Sequence, residues 1–326
     1  MNHTDYSADE REMRRLSVLQ VCDSVFPVGA FALSNGMETF VQRDFLRTSG
    51  DFEQYLKNYL EVAAYREIGQ MVIAGKIAMD GRVSDAGFDR KIADLDALCA
   101  ALQSAREIRD GQTRMCKRMI KLADQMEERP LQPADARDAR HVPPSKTGKT
   151  NKPKSMTLMR DTATSSTASP DTAPHCETAS TSSAPGAMAS GITARNQSRR
   201  MPHSANAVPR TIPHLDRYKR LIDNGTCLGL HSIAMGLFAA DRAPSLREAA
   251  VTYCYSLLSA LTVCAVKAVP ISQFAGQVAL NRARSEIVAA VDLAFTLKPD
   301  DLGISGAYID IAAMQHETLY SRLYMS

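Results

Sequence analysis

Cys227 and His231 stand four residues apart, a spacing that on one helix turns both side chains toward a single metal ion. "HETLY" at 316–320 opens like the helix of a zinc protease. That chemistry needs a second histidine four positions on, where this chain has Tyr320. "GKT" at 148–150 ends like a phosphate-binding loop, yet the glycine due five residues earlier is Pro143, and neither a strand before nor a helix after is indicated. Carboxylates recur at Asp292, Asp300, Asp301 and Asp310 without a pattern that couples two of them. No Ser–His–Asp or Cys–His arrangement follows from spacing. One enzymatic reading stays open, a helical metal-dependent hydrolase using Cys227, His231, His316 and Glu317. Against it stands a non-enzymatic protein in which Cys227 is a buried thiol and His231 a hydrogen-bonded imidazole.

Composition narrows the class. The 326 residues are 44% apolar and 23% charged, with no Trp and a formal charge of +3, too small and too scattered for a nucleic-acid surface. Seven cysteines (Cys22, Cys99, Cys116, Cys176, Cys227, Cys254, Cys264) are odd in number and spread out, as expected of reduced thiols in a cytoplasmic protein. The start, "MNHTDYSADEREMRRL", lacks the apolar core of a secretory signal. The apolar run at 251–271 is interrupted by Lys267 and Pro270, so no membrane span is expected.

The elements that must position these residues are helices. Phe52, Tyr55, Leu56, Tyr59, Leu60 and Ala63 form one apolar stripe, with Ser49 or Asp51 as the expected cap. One long helix is expected over 90–128, ended with the help of Pro130. A nearly all-apolar helix is expected over 216–240, where Gly229 and Gly236 leave room for a neighbour. Ser245 and Glu248 should form a capping box for 246–268, and a further helix should follow Pro270 over 271–297. No segment alternates like a strand. The expected fold is all-α, a bundle of about seven to ten helices. Residues 1–15 are expected to be a flexible start, and 16–128 and 215–326 two halves of one helical domain. The Ser-, Thr-, Ala- and Pro-rich segment 129–214 is read as a disordered insertion, since it offers little to bury.

The stretch "DSVFPVGAFALSNGMETFVQ" (23–42) holds none of this chemistry but is sharply punctuated. Pro27 restricts φ, Gly29 permits a turn, and Ala30, Ala32, Ser34 and Gly36 present little bulk to an approaching helix or partner. Pro27, Gly29, Phe31, Ser34, Gly36 and Glu38 resemble the N-terminal signature of the urease accessory protein UreF family. "HSIAMG" (231–236) with "SLLSALTVCAVKAVPISQFAGQ" (256–277) is similar to that family's central helices. "DIAAMQHETLYSRLYMS" (310–326) is similar to its C-terminal block. Two positions depart: Lys267 stands where the family commonly has Arg, and Met325 where a basic or aromatic residue is often found.

The resemblance implies an all-helical, non-enzymatic adaptor, usually a homodimer. It would bridge a UreD/UreH-like protein and a UreG-like GTPase as nickel is delivered to apo-urease. It would bind no cofactor tightly, with nickel handled by the complex and GTP held by the partner, and would need neither nucleic acid nor a membrane. The expected partner-binding residues are Pro27, Gly29, Phe31, Ser34, Gly36, Glu38, Lys267, His316, Glu317, Tyr320, Ser321 and Arg322. The opening segment and the C-terminal block are expected to meet the UreD-like partner together. Helices 226–240 and 246–268 are expected to form a two-fold interface, with the GTPase near Lys267 and Glu38.

Overall fold

A computed structural model describes residues 6–30, 33–128, 212–303 and 306–324. Most of the segment expected to be disordered, and Phe31 of the expected site, lie outside the described residues.

Side-chain caps start several of the helices. Ser7 accepts from the Glu10 amide to begin α1 (Ala8–Cys22), inside the stretch expected to be flexible. After the short α2 (Met37–Gln42), α3 (Ser49–Ala64) opens on a reciprocal capping box. The cap is Thr48, one residue before Ser49 and three before Asp51, the two expected candidates, and Asp51 is the returning carboxylate. Next come α4 (Glu67–Met79), α5 (Asp85–Leu102) and α6 (Arg106–Glu128). Beyond the undescribed segment follow α7 (Pro213–Asp223), α8 (His231–Arg242), α9 (Leu246–Ala268), α10 (Gln273–Arg282), α11 (Arg284–Thr296) and α12 (Ala307–His316). The expected Ser245 cap is present, accepting from the Glu248 amide. The all-α expectation holds, with no strand among the described residues.

Three expected helices are divided, each for a tertiary reason. The 90–128 helix breaks at 103–105, which seats Ala105 and Ile108 in a small cluster with Ala313 of α12. The 216–240 helix breaks over 224–230. Gly225 and Gly229 take φ of 79° and 93°, and the buried Asp96 carboxylate of α5 collects the amides of Leu228 (2.6 Å) and Gly229 (3.1 Å) together with the Tyr218 hydroxyl. A carboxylate filled by three donors gives the inner end of the loop the partners its lost helical bonds would have supplied. The 271–297 helix is interrupted at Ala283, which lets α10 and α11 pack separately on α3.

α4 runs through the centre, buried continuously from Glu67 to Gly75, and α8 crosses it. On one side lie α5, α6 and α7; on another, α3, α10 and α11; α1 and α9 close a third. Gly236 is the contact point of the central crossing. A Cβ built there would meet the Met71 carbonyl oxygen at 2.2 Å and Ala74 Cβ at 3.0 Å. The small residue does admit a close neighbour, as its type suggests, but that neighbour is α4 of the same chain. α8 is buried from His231 to Ala239. Residues 231–239 therefore offer no face to a second chain, and the expectation that the 226–240 helix forms a two-fold interface is corrected for that part.

α9 is long and apolar enough to cross a membrane, the one such helix among the described residues. Half of its most apolar window is buried, and it packs on α1, α8, α10 and α11, so its apolarity serves the bundle core. None of the six described cysteines forms a disulfide; five of them are buried and Cys22 is half-buried, while Cys176 lies outside the described residues. Desolvation pushes the Cys22, Cys227, Cys254 and Cys264 thiols up to about 12, which keeps them protonated and unreactive.

Candidate functional site

The first and third signature blocks are nearly 280 residues apart in sequence, and the fold joins them. Pro27 is exposed and Gly29 (φ 90°) half-exposed on the connection after α1. Gly36, with φ of 81°, ends this connection and begins α2. A Cβ on Gly36 would lie 2.9 Å from the Ala313 amide nitrogen and 3.0 Å from the Ile309 carbonyl oxygen. Only glycine permits both the turn and this backbone-to-backbone approach of α12. The seat is completed by the Thr39 hydroxyl, which donates to the Ala312 carbonyl at 2.7 Å.

His316, the last residue of α12, is fully buried between two carboxylates. Its Nε2 lies 2.9 Å from Glu38 Oε2, and its Nδ1 lies 2.9 Å from Glu107 Oε2 of α6. Two carboxylate oxygens facing two ring nitrogens are both satisfied only when the imidazole carries both protons, or when one carboxyl holds the extra one. The arrangement ties α2, α6 and α12 together at one ring. Both glutamates have a second task. Glu38 accepts from the amides of Leu323 (2.7 Å) and Tyr324 (3.2 Å), and Glu107 accepts from Arg322 Nη1 at 2.7 Å. Nearby, Gln42 donates to the Ser321 carbonyl at 2.6 Å, Arg106 pairs with Glu317 at 2.9 Å, and Tyr324 donates to the Cys264 carbonyl at 3.4 Å. Residues 317–324, with no helix of their own, form a strap held down by these bonds.

The fold thus splits the expected residues into two kinds. Ser34, Gly36, Glu38 and His316 are buried in this chain; Glu38 holds the strap from beneath, His316 bridges Glu38 to Glu107, and Gly36 seats α12. Tyr320, Ser321 and Arg322 are exposed on it, and Glu317 is half-exposed. Lys267 is exposed near the end of α9. Tyr320 is fully exposed and Leu323 is 65% exposed, and the outer face of α12 adds Tyr308 (82%), Ile311 and Met314. Glu107, Thr39, Gln42 and Tyr324 belong to the same junction but carry no signal in the sequence beyond their helical or terminal setting.

The hydrolase quartet does not assemble. Cys227 lies in the loop ahead of α8 rather than on a helix with His231, and both nitrogens of His316 are already engaged by glutamates. Among the described residues no three His, Cys, Asp or Glu side chains gather as metal ligands. His231 instead sits deep beside Tyr253, with ring centroids 5.9 Å apart, and burial lowers its imidazole to about 4. Unfolded, the same ring takes a proton near its ordinary value, so its contribution to stability is full above about pH 6.5 and is lost as pH falls toward 4. His231→Gln should flatten this limb. The wild type is expected to lose about 2 kcal/mol more than the variant between pH 7.5 and pH 5 in urea titrations.

A sequence model of the UreF family matches residues 46–174 and 179–284. That match includes the central signature block and continues through most of 129–214, which the resemblance read from motifs had passed over. The first and third blocks lie outside it. Similar proteins include the urease accessory protein UreF of Arthrobacter sp. (strain FB24), 23% identical over 313 residues, covering 96% of this chain and 97% of that one. The urease accessory protein UreF of Streptococcus thermophilus is 23% identical over 311 residues, covering 95% and 94%. That of Haemophilus influenzae is 24% identical over 310 residues, covering 95% and 94%. With a match over most of its length, and helices throughout the described residues, the chain belongs to the UreF family of urease accessory proteins.

Proposed function

We propose that this accessory protein is a non-enzymatic cytoplasmic adaptor. It joins a UreD/UreH-like protein to a UreG-like GTPase while nickel is loaded into apo-urease. The observation that carries this reading is the strap. A short terminal segment is fastened from below by a buried Glu38–His316–Glu107 bridge, while Tyr320 and Leu323 point outward beside the apolar face of α12. Contiguous exposed apolar side chains with a charged rim, here Arg322 and the Arg106–Glu317 pair, have the make-up of a protein-binding surface. The UreD/UreH-like partner takes this face. The buried members of the signature act through the strap and do not touch the partner. The GTPase meets a different surface that includes Lys267, and nickel and GTP stay with the complex and the GTPase. The protein works as a homodimer whose contact lies on faces other than α8.

Arg322→Ala removes the exposed arm of the Glu107 clamp and leaves the His316 bridge in place. It is expected to reduce pull-down of the UreD/UreH-like protein about tenfold. Nickel- and GTP-dependent activation of apo-urease in reconstitution should fall with it. Truncation of 316–326 should abolish both. Undiminished capture and activation in both variants would remove the strap from the partner surface.

A further inference from the structure

A second feature lies away from the strap. Between the end of α1, residues 23–30 and 33–35, α6 and the middle of α9 is a cavity of about 260 Å³. Its walls are mainly apolar, with Phe26, Val28, Leu33, Met115, Leu257 and Leu261 among them. Its polar lining includes four side chains from four helices: Glu67 of α4, Gln112 of α6, His231 of α8 and Tyr253 of α9. Each is more than nine-tenths buried. Glu67 Oε2, Gln112 Oε1, His231 Nε2 and the Tyr253 hydroxyl have no hydrogen-bond partner among the described residues. A buried polar atom left unpaired is destabilising, and any one of these positions would be cheaper with an apolar residue of similar size. Four such atoms around one space describe a place built to receive something.

Their chemistry restricts the guest. Gln112 Oε1 can only accept, an ionised Glu67 can only accept, and the Tyr253 oxygen and His231 Nε2 can each accept as well. No lysine or arginine lines the cavity, and its acidic groups are Glu67 within and Asp23 at the exposed rim. His231 is neutral at physiological pH, so it does not repel positive charge. Burial raises the Glu67 carboxyl, and a cation beside it would restore its ionised form. With no three metal-ligating side chains gathered among the described residues, a bare metal ion is poorly served. Apolar walls favour a guest with a hydrocarbon part.

We propose that this cavity binds a small organic ammonium ion. Its N–H groups donate to Glu67 and Gln112, and its alkyl part lies against Val28, Leu33 and Leu257. The punctuated connection after α1 then has a second purpose beside seating α12, as one wall of a ligand chamber.

Isothermal titration of the full chain with n-propylammonium, 1-propanol and propionate tests this, since the three differ chiefly in the head group. Propylammonium is expected to bind about tenfold tighter than propanol, with propionate showing no binding. Glu67→Gln, close in shape but without charge, should bring the ammonium down to the affinity of the alcohol. Should circular dichroism show that variant unfolded, Gln112→Leu should still weaken propylammonium about threefold and leave propanol unchanged. Equal affinity for ammonium and alcohol, no ammonium binding, binding of propionate, or a preference untouched by the folded variant overturns the proposal.

Discussion

Gly236→Val is expected to destabilise the protein by roughly 3 kcal/mol or more, the upper end of what overpacking costs. The new side chain would start 2.2 Å from the Met71 carbonyl oxygen, a backbone atom locked in α4 that no rotamer change can move. α4 and α8 must separate, and with them the core layer containing Met71, Ile233 and Leu237, all at most 1% exposed. Gly236→Ala should be milder, since the gain in helix propensity of about 1 kcal/mol offsets part of the clash. Urea denaturation gives the series directly. Gly81→Ala serves as the control, because a Cβ there meets nothing within 4 Å, and it should lie within about 0.5 kcal/mol of wild type. A valine variant as stable as wild type would show that the central crossing is looser than this contact requires.

Glu38→Ala should cost about 3–5 kcal/mol, as expected when one member of a buried, hydrogen-bonded ionic group is removed. Glu38 is 3% exposed and His316 is 0% exposed, so water cannot readily replace the lost carboxylate. The change leaves His316 Nε2 and the amides of Leu323 and Tyr324 without their acceptor. Glu38→Gln should lose less, because its amide oxygen still accepts one bond. The damage should be local before it is global. At low denaturant, hydrogen exchange at Leu323 and Tyr324 should accelerate at least tenfold while the α4 amides stay protected. Capture of the UreD/UreH-like partner should fall in step, although Glu38 itself never reaches the surface. Protected strap amides in a folded Glu38→Ala protein would mean that the strap is held by something other than this bridge.

These two predictions show how differently the two sites could be read beforehand. The chance of a close approach at Gly236 is visible in a run of small residues on a helix. The identity of the approaching element is not, and the expectation of a second copy was natural because an apolar, glycine-bearing helix suits either role. Burial decided it: α8 is enclosed on every side by its own chain. For the C-terminal junction the members from the two signature blocks were flagged, but as a surface. Nothing in the spacing says that Glu38, His316 and Gly36 lie inside, since a helical period shows which residues share a face and leaves open what covers that face. A glutamate in a charged helix, as Glu107 is, reads as solvated until another helix packs over it.

The sequence by itself determined the all-helical class, the start of α3 to within a residue or so, the Ser245 cap, the core face of α3 and the turn at Gly29. All of these rest on contacts within a few residues along the chain, which local spacing records. Only the tertiary structure decided that the long expected helices are divided, that α8 is interior, and that Glu38 and Glu107 flank a histidine far along the chain. Those outcomes depend on which surfaces exclude water together. That is settled by the packing of distant helices, and no single segment carries the information.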